Sequence, residues 1–364
     1  MVSLGNVAKR AGVVTGVVAG VAGALYAGER AVAARMRRRG LTDPVNDPLA
    51  PEFDRETRID CHDGGDLYVI ERGHPDDPPI VLCHGITLSS RVWARQFRSL
   101  PDAGFRVVAI DGRGHGQSTV GDSGHSIANL AADVRSVLHT LDLHDALLVG
   151  HSMGGMAVQA FAVHHPEDLA ERVSGLVLLS TSPRAVVSDA HRTRRGLERV
   201  SGFVPDVGAV MRQRNFGLLV ARLGFGDDPD PRCVDATREM LGECSRDTIR
   251  LAGRALLELD VTAGLRELDV PTLVIVGSAD LITPPRDARQ IADLVPGARL
   301  VELPRAGHML MYERTEELDE LLVGFARECL EGPPLRWVAP RGAAEGEGGA
   351  RVAAAEPTRD PGAG

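Results

Sequence analysis

The stretch "LLVGHSMGGM", Leu147–Met156, decides the reading of this chain. An apolar run ends in a serine fenced by Gly150 and Gly154. A run that is apolar throughout fits a strand covered on both faces. A strand running through Gly-His-Ser-Met-Gly into a helical pattern is the context of a nucleophile on a sharp turn. The turn is strained, so the positions two residues either side must be small. The helix that follows aims its N-terminal dipole at the serine. Glycine and serine also mark ordinary turns, so the motif alone leaves both readings open.

A serine hydroxyl is a poor nucleophile near neutral pH and needs a base steadied by a carboxylate. In this architecture the chain order is serine, acid, histidine. "TLVIVGSADLITPP" supplies Asp280 just past a late strand, and "LVELPRAGHML" supplies His308, the one histidine after Asp280. The alternative acid position, "LLSTSP", holds no carboxylate. The predicted triad is therefore Ser152, Asp280 and His308. A tetrahedral oxyanion needs fixed N–H donors. The predicted donors are the backbone N–H groups of Met153, next to the nucleophile, and Ile86, in "IVLCHGIT" after an earlier strand. His84 is read as shaping that loop, and Trp93 as packing beneath the site. Asp111, Arg113 and His115 read as a structural polar turn. Arg192, Arg194 and Arg195 read as a solvated face.

Working outward, short apolar runs alternate with helical patterns. Predicted strands are Leu67–Glu71, Ile80–Cys83, Arg106–Ile110, Ala146–Val149, Leu176–Leu179, Thr272–Val276 and Arg299–Leu303. Predicted helices run over Arg91–Leu100, Ile127–Leu141, Gly154–His164, Arg286–Leu294 and Thr315–Leu330. Such alternation implies an α/β fold with a mainly parallel sheet and right-handed crossovers. The rhythm breaks over residues 184–268, which read as a helical insertion between core parts 51–183 and 269–335.

In this order and spacing, "HGI" (His84–Ile86), "DGRGHGQS" (Asp111–Ser118), "GHSMGG" (Gly150–Gly155), "GSADLITP" (Gly277–Pro284) and "GH" (Gly307–His308) resemble the α/β-hydrolase superfamily. The likeness is to its serine esterase, lipase and cofactor-free haloperoxidase-like branch. The resemblance covers roughly Glu52 to Leu330. It implies helices on both faces of the sheet, a helical cap made by the insertion, and no cofactor. The expected activity is metal-independent cleavage of a small-molecule carboxylic ester, apolar or acylglycerol-like. Perhydrolysis and acyl transfer use the same acyl-enzyme and are the alternatives. A ligand-binding protein without turnover is a third class. Serine at the elbow sets the chain apart from branches that use aspartate there.

The 364 residues include 43% hydrophobic side chains, enough for a large core. The first forty residues carry seven basic and one acidic side chain, a surplus of six positive charges. With a net charge of -9, the rest carries a surplus of fifteen negative charges. An acidic body gives no support to nucleic-acid binding. Five scattered cysteines form no CxxC pair, so no zinc site or disulfide framework is expected. Ala11–Gly28 is an uncharged stretch of 18 residues flanked by arginines, so residues 1–50 read as an N-terminal segment with a candidate membrane anchor. The heavier arginine cluster follows it, which predicts a membrane-associated enzyme with its body on the cytoplasmic side; a soluble cytoplasmic enzyme is the alternative. Residues 336–364 are poor in bulky apolar side chains, and the reading there is a disordered tail.

Overall fold

The computed structural model describes residues 49–185, 213–331 and 351–354. The strands are β1 (Arg55–Asp60), β2 (Asp66–Arg72), β3 (Pro79–Cys83), β4 (Arg106–Ile110), β5 (Ala146–His151), β6 (Val173–Leu179), β7 (Thr272–Gly277), β8 (Arg299–Leu303) and β9 (Arg351–Ala354). They form one sheet in the order β1-β2-β4-β3-β5-β6-β7-β8-β9. The block from β4 through β8 is parallel, with β1, β2 and β9 antiparallel at the edges. This is the mainly parallel α/β sheet that the strand–helix rhythm predicts, and it agrees with the fold that the motif resemblance implies.

Parallel pairing demands long crossovers, and these are helices. Those that bear on the site are α1 (Ile127–Thr140), α2 (Met153–His164), α3 (Arg214–Arg222), α4 (Pro231–Glu243), α5 (Arg246–Leu257), α6 (Pro285–Leu294), α7 (Leu310–Glu313) and α8 (Thr315–Glu331). Where described, the stretch between β6 and β7 is helical: α3, α4, α5 and a short turn at Thr262–Leu265. Residues 186–212, with Arg192, Arg194 and Arg195, lie outside the described residues.

Side chains alternate across the sheet with a period of two. Ala146 and Leu148 of β5 enter a core with Val134, Val158 and Phe161 on one face. Leu147 and Val149 enter a second core with Trp93, Phe97 and Leu322 on the other. Both faces of the central strands are dry, which is why their sequences are apolar throughout. β3 has β4 on one side and β5 on the other, so the strand order reverses there. Open α/β sheets place their sites at such a switch point.

Two expectations are corrected. Crossing a membrane takes about 20 apolar residues in one helix. The 17-residue α8 opens on Glu316 and Glu317. No helix among the described residues is long and apolar enough to cross, so the membrane placement is withdrawn. Ala11–Gly28 lies outside the described residues. The tail also contributes structure: Arg351–Ala354 pairs antiparallel with β8. An edge strand offers a row of unpaired backbone groups, and an extended segment can meet them whatever its side chains.

Candidate active site

Ser152 begins the turn between β5 and α2 with φ 53° and ψ -117°. A non-glycine residue there carries strain of about 1–3 kcal/mol, which its surroundings must hold. They do so through the backbone. Ser152 N–H donates to Leu179 O at 3.0 Å, and Thr181 Oγ1 donates to Ser152 O at 2.7 Å. The serine's own Oγ makes no hydrogen bond among the described residues.

The neighbouring glycines are sterically required. A Cβ on Gly154 would lie 2.2 Å from Cys83 O, and one on Gly150 would lie 2.5 Å from Gly154 O. Both obstacles are backbone, which cannot swing aside. Gly154→Ala is therefore expected to destabilise the fold by about 3 kcal/mol or more, because α2 and the end of β3 must separate. Calorimetric melting of the purified variant measures this, and a melting temperature equal to that of the unaltered protein would contradict it.

Asp280 and His308, drawn from loops after β7 and β8, meet directly. His308 Nδ1–H donates to Asp280 Oδ2 at 2.9 Å. Asp280 is also held by Ile282 N–H and Thr283 N–H on Oδ1, at 2.8 and 2.9 Å, and by Thr283 Oγ1 on Oδ2 at 3.0 Å. Burial opposes its charge, but the His308 ring and these donors outweigh it and hold the carboxyl below its ordinary range. With Nδ1 protonated, His308 Nε2 carries a free lone pair.

His151 links this pair to the serine. Its Nε2–H donates to His308 O at 2.9 Å, and the two rings lie 4.6 Å apart. Burial, together with the nearby His308, holds its pKa well below the usual histidine range, so the ring is neutral. A ring already donating to a backbone carbonyl is a structural strut, and Trp93 stacks edge-on against it at 6.4 Å.

The loop after β3 comes close: a Cβ on Gly85 would lie 3.1 Å from Ser152 Cβ. Gly112 N–H donates to His84 Nε2 at 2.8 Å, so His84 Nδ1 is the protonated nitrogen and donates to Gly85 O at 2.7 Å. Fixing that carbonyl fixes the rest of the planar peptide, and the Ile86 N–H points the opposite way. Neither Ile86 N–H nor Met153 N–H has an acceptor among the described residues. Met153 is the first residue of α2, where N–H groups have no intrahelical partner.

The "DGRGHGQS" turn is structural. Asp111 accepts Ser90 N–H and Gln117 N–H, and buried Arg113 bridges Asp63 and Asp133 at 3.0 and 2.6 Å. His115 donates to Arg113 O, and burial and its neighbour His84 lower its pKa to about 3. No group of three or more potential metal ligands occurs among the described residues. Three residues near the site escaped the sequence reading: His151 as a strut, Thr283 and Glu313. Thr283 follows Asp280 by three positions, and Glu313 directly follows the apolar run "MLMY".

A family model for the alpha/beta hydrolase fold matches residues 78–315. A non-heme haloperoxidase of Rhodococcus erythropolis is 30% identical over 276 residues, covering 73% of this chain and 98% of that protein. The bifunctional esterase/perhydrolase DCH of Acinetobacter calcoaceticus is 29% identical over 277 residues, covering 74% and 99%. The solved structure of an esterase from Exiguobacterium antarcticum superposes with a TM-score of 0.65 at 24% identity, covering 75% of this chain and 100% of that one, a likeness of fold. The chain belongs to the α/β-hydrolase family. Within it, the relatives put the chain in the haloperoxidase-like branch, a hydrolase branch that also holds esterases.

Proposed function

We propose that this protein is a serine hydrolase cleaving a carboxylic ester through an acyl-enzyme on Ser152. The observation that carries the reading is the Asp280–His308 hydrogen bond, joined through His151 to a serine on a strained turn. Ser152 Oγ forms a bond to the ester carbonyl carbon while its proton passes to His308 Nε2. The carbonyl oxygen becomes an oxyanion held by Ile86 N–H and Met153 N–H. Collapse breaks the bond to the alkoxy group, which leaves with the proton from His308. Water repeats the sequence on the acyl-enzyme and releases the acid. No step calls on a metal or cofactor.

An apolar ester suits the rim. Leu281 and Ile282, directly after Asp280, are 78% and 45% exposed, and Leu223 at the end of α3 is 59% exposed. Ile282 lies near Gly224, whose carbonyl takes the His308 N–H at 2.8 Å. The insertion thus reaches the site, and we assign it the role of a cap.

A second reading rests on the name of the Acinetobacter calcoaceticus relative, which pairs esterase with perhydrolase. Peroxide in place of water on the same acyl-enzyme would release a peracid. A fluorophosphonate probe tests the shared intermediate: the folded protein is expected to be labelled on Ser152, located by peptide mass spectrometry. Folded protein that stays unlabelled would overturn both readings. Product analysis with water and peroxide in competition then separates them, and an ester panel graded by acyl length defines the substrate.

A further inference from the structure

We infer that Glu313 is a positioning residue, a clamp whose carboxylate locks the His308 loop to the helical insertion. Its two oxygens accept three backbone N–H groups. Oε1 takes Gly307 N–H at 3.0 Å and Met309 N–H at 3.2 Å, the residues on either side of His308. Oε2 takes Gly226 N–H at 2.7 Å, from the link between α3 and α4. One side chain thus grips both flanks of the candidate base and the insertion above it.

The backbone around it is built for that contact. His308 N–H donates to Gly224 O at 2.8 Å, and Asp227 N–H donates to Arg305 O at 3.0 Å. A Cβ on Gly226 would lie 2.2 Å from Arg305 O, and one on Gly307 would lie 2.4 Å from Gly226 N. The two segments approach to a distance only glycine permits, and Glu313 satisfies N–H groups which that approach would otherwise bury unpaired. On the other side, a Cβ on Gly277 would lie 2.2 Å from Gly307 O, so the end of β7 braces the same loop. The His308 imidazole therefore hangs from a loop gripped between sheet and insertion. Any movement of the insertion at Gly224–Gly226 is passed to the base.

The inference rests on the proposed triad. In Glu313→Gln the amide replaces one acceptor oxygen by an NH2 group. Whichever way the amide turns, a donor faces either Gly226 N–H or the Gly307/Met309 pair, and one half of the clamp is lost. Misplacement of a reacting group by about 1 Å costs on the order of 10²-fold in rate. With p-nitrophenyl acetate, Glu313→Gln is expected to lose about 10- to 100-fold in kcat. KM is expected to stay within about twofold, and the fluorophosphonate labelling rate to fall in step with kcat.

The control is Asp319→Asn. It removes another largely buried carboxylate, one bonded to Gln96 and Ser99 and making no bond to the His308 loop. A merely structural role predicts equal losses in the two variants, carried by a smaller fraction of labelled, folded enzyme. A kcat within twofold of the unaltered protein in Glu313→Gln, or losses matched by Asp319→Asn, would overturn the clamp. Ser152→Ala, run beside them, separates the two levels. An inactive Ser152→Ala with a fully active Glu313→Gln rejects the clamp alone, whereas an active Ser152→Ala rejects the triad itself.

Discussion

Ser152→Ala is expected to lower kcat on p-nitrophenyl acetate by up to ~10⁶-fold while leaving the fold intact. The size follows from what the hydroxyl does. Without Oγ there is no acyl-enzyme, and the remaining N–H donors and substrate binding supply only about 10³–10⁴ over the reaction in water. The fold survives because Oγ has no hydrogen bond to lose among the described residues. The bonds that hold the turn, to Leu179 and Thr181, belong to the Ser152 backbone and persist in alanine. Alanine carries the same positive-φ strain as serine, so the melting temperature should barely move. Ser152→Gly sharpens the point. Glycine enters this backbone region freely, so that variant is expected to be equally inactive yet about 1 kcal/mol more stable than the unaltered protein. Such a trade would show that strain at position 152 is maintained for function. Turnover of Ser152→Ala within tenfold of the unaltered enzyme would remove Ser152 from the chemistry.

The parts of the fold that were legible are those whose side chains carry the signal. β4 at Arg106–Ile110 and β8 at Arg299–Leu303 match their sequence-predicted bounds, because each carries a short buried apolar run, Val107–Ile110 in β4 and Leu300, Val301 and Leu303 in β8. β1 was missed: "RETRID" buries only Ile59, and the strand is held by backbone pairing to β2. β9 was missed too; it is paired through its backbone with β8. The predicted helix at Arg91–Leu100 is two pieces, a 3₁₀ turn at Ser90–Trp93 and a helix at Gln96–Asp102. Asp111 takes the Ser90 N–H at the start of the turn, a partner 21 residues away that no local pattern announces.

The candidate site divides along the same line. Ser152, Asp280 and His308 are proposed from the sequence because the expected chemistry fixes residue type and chain order, and of the three the structure bonds Asp280 to His308. The groups that hold them act on backbone atoms. His84 grips Gly85 O, His151 grips His308 O, and Glu313 grips three N–H groups. A side chain that bonds to a peptide unit has no partner residue type to search for, so such supports become visible only in three dimensions.

The second large effect is expected at Asp280. Asp280→Asn is expected to lower kcat by about 10⁴-fold, again with the fold retained. Oδ1 of Asp280 accepts Ile282 N–H and Thr283 N–H, so the amide oxygen of asparagine must stay on that side. The NH2 group then faces His308 Nδ1 in place of Oδ2. A donor there turns Nδ1 into the acceptor and moves the ring proton to Nε2. The nitrogen that would take the serine proton is already occupied, and the imidazolium formed in the transition state has lost its counter-charge. Stability should respond to acid as well. The Asp280 carboxyl is held below its ordinary range, so its contribution is present above the unfolded value and is lost as pH falls through the folded one. The amide of the Asp280→Asn variant does not titrate, so its melting temperature should depend less on pH in that acidic window. Rate constants for single-turnover acylation, measured beside thermal melts from neutral pH into acid, check both halves. A variant that acylates within tenfold of the unaltered enzyme would mean that His308 does not depend on Asp280 for its tautomer, and the carboxylate would then be only a brace for the loop after β7.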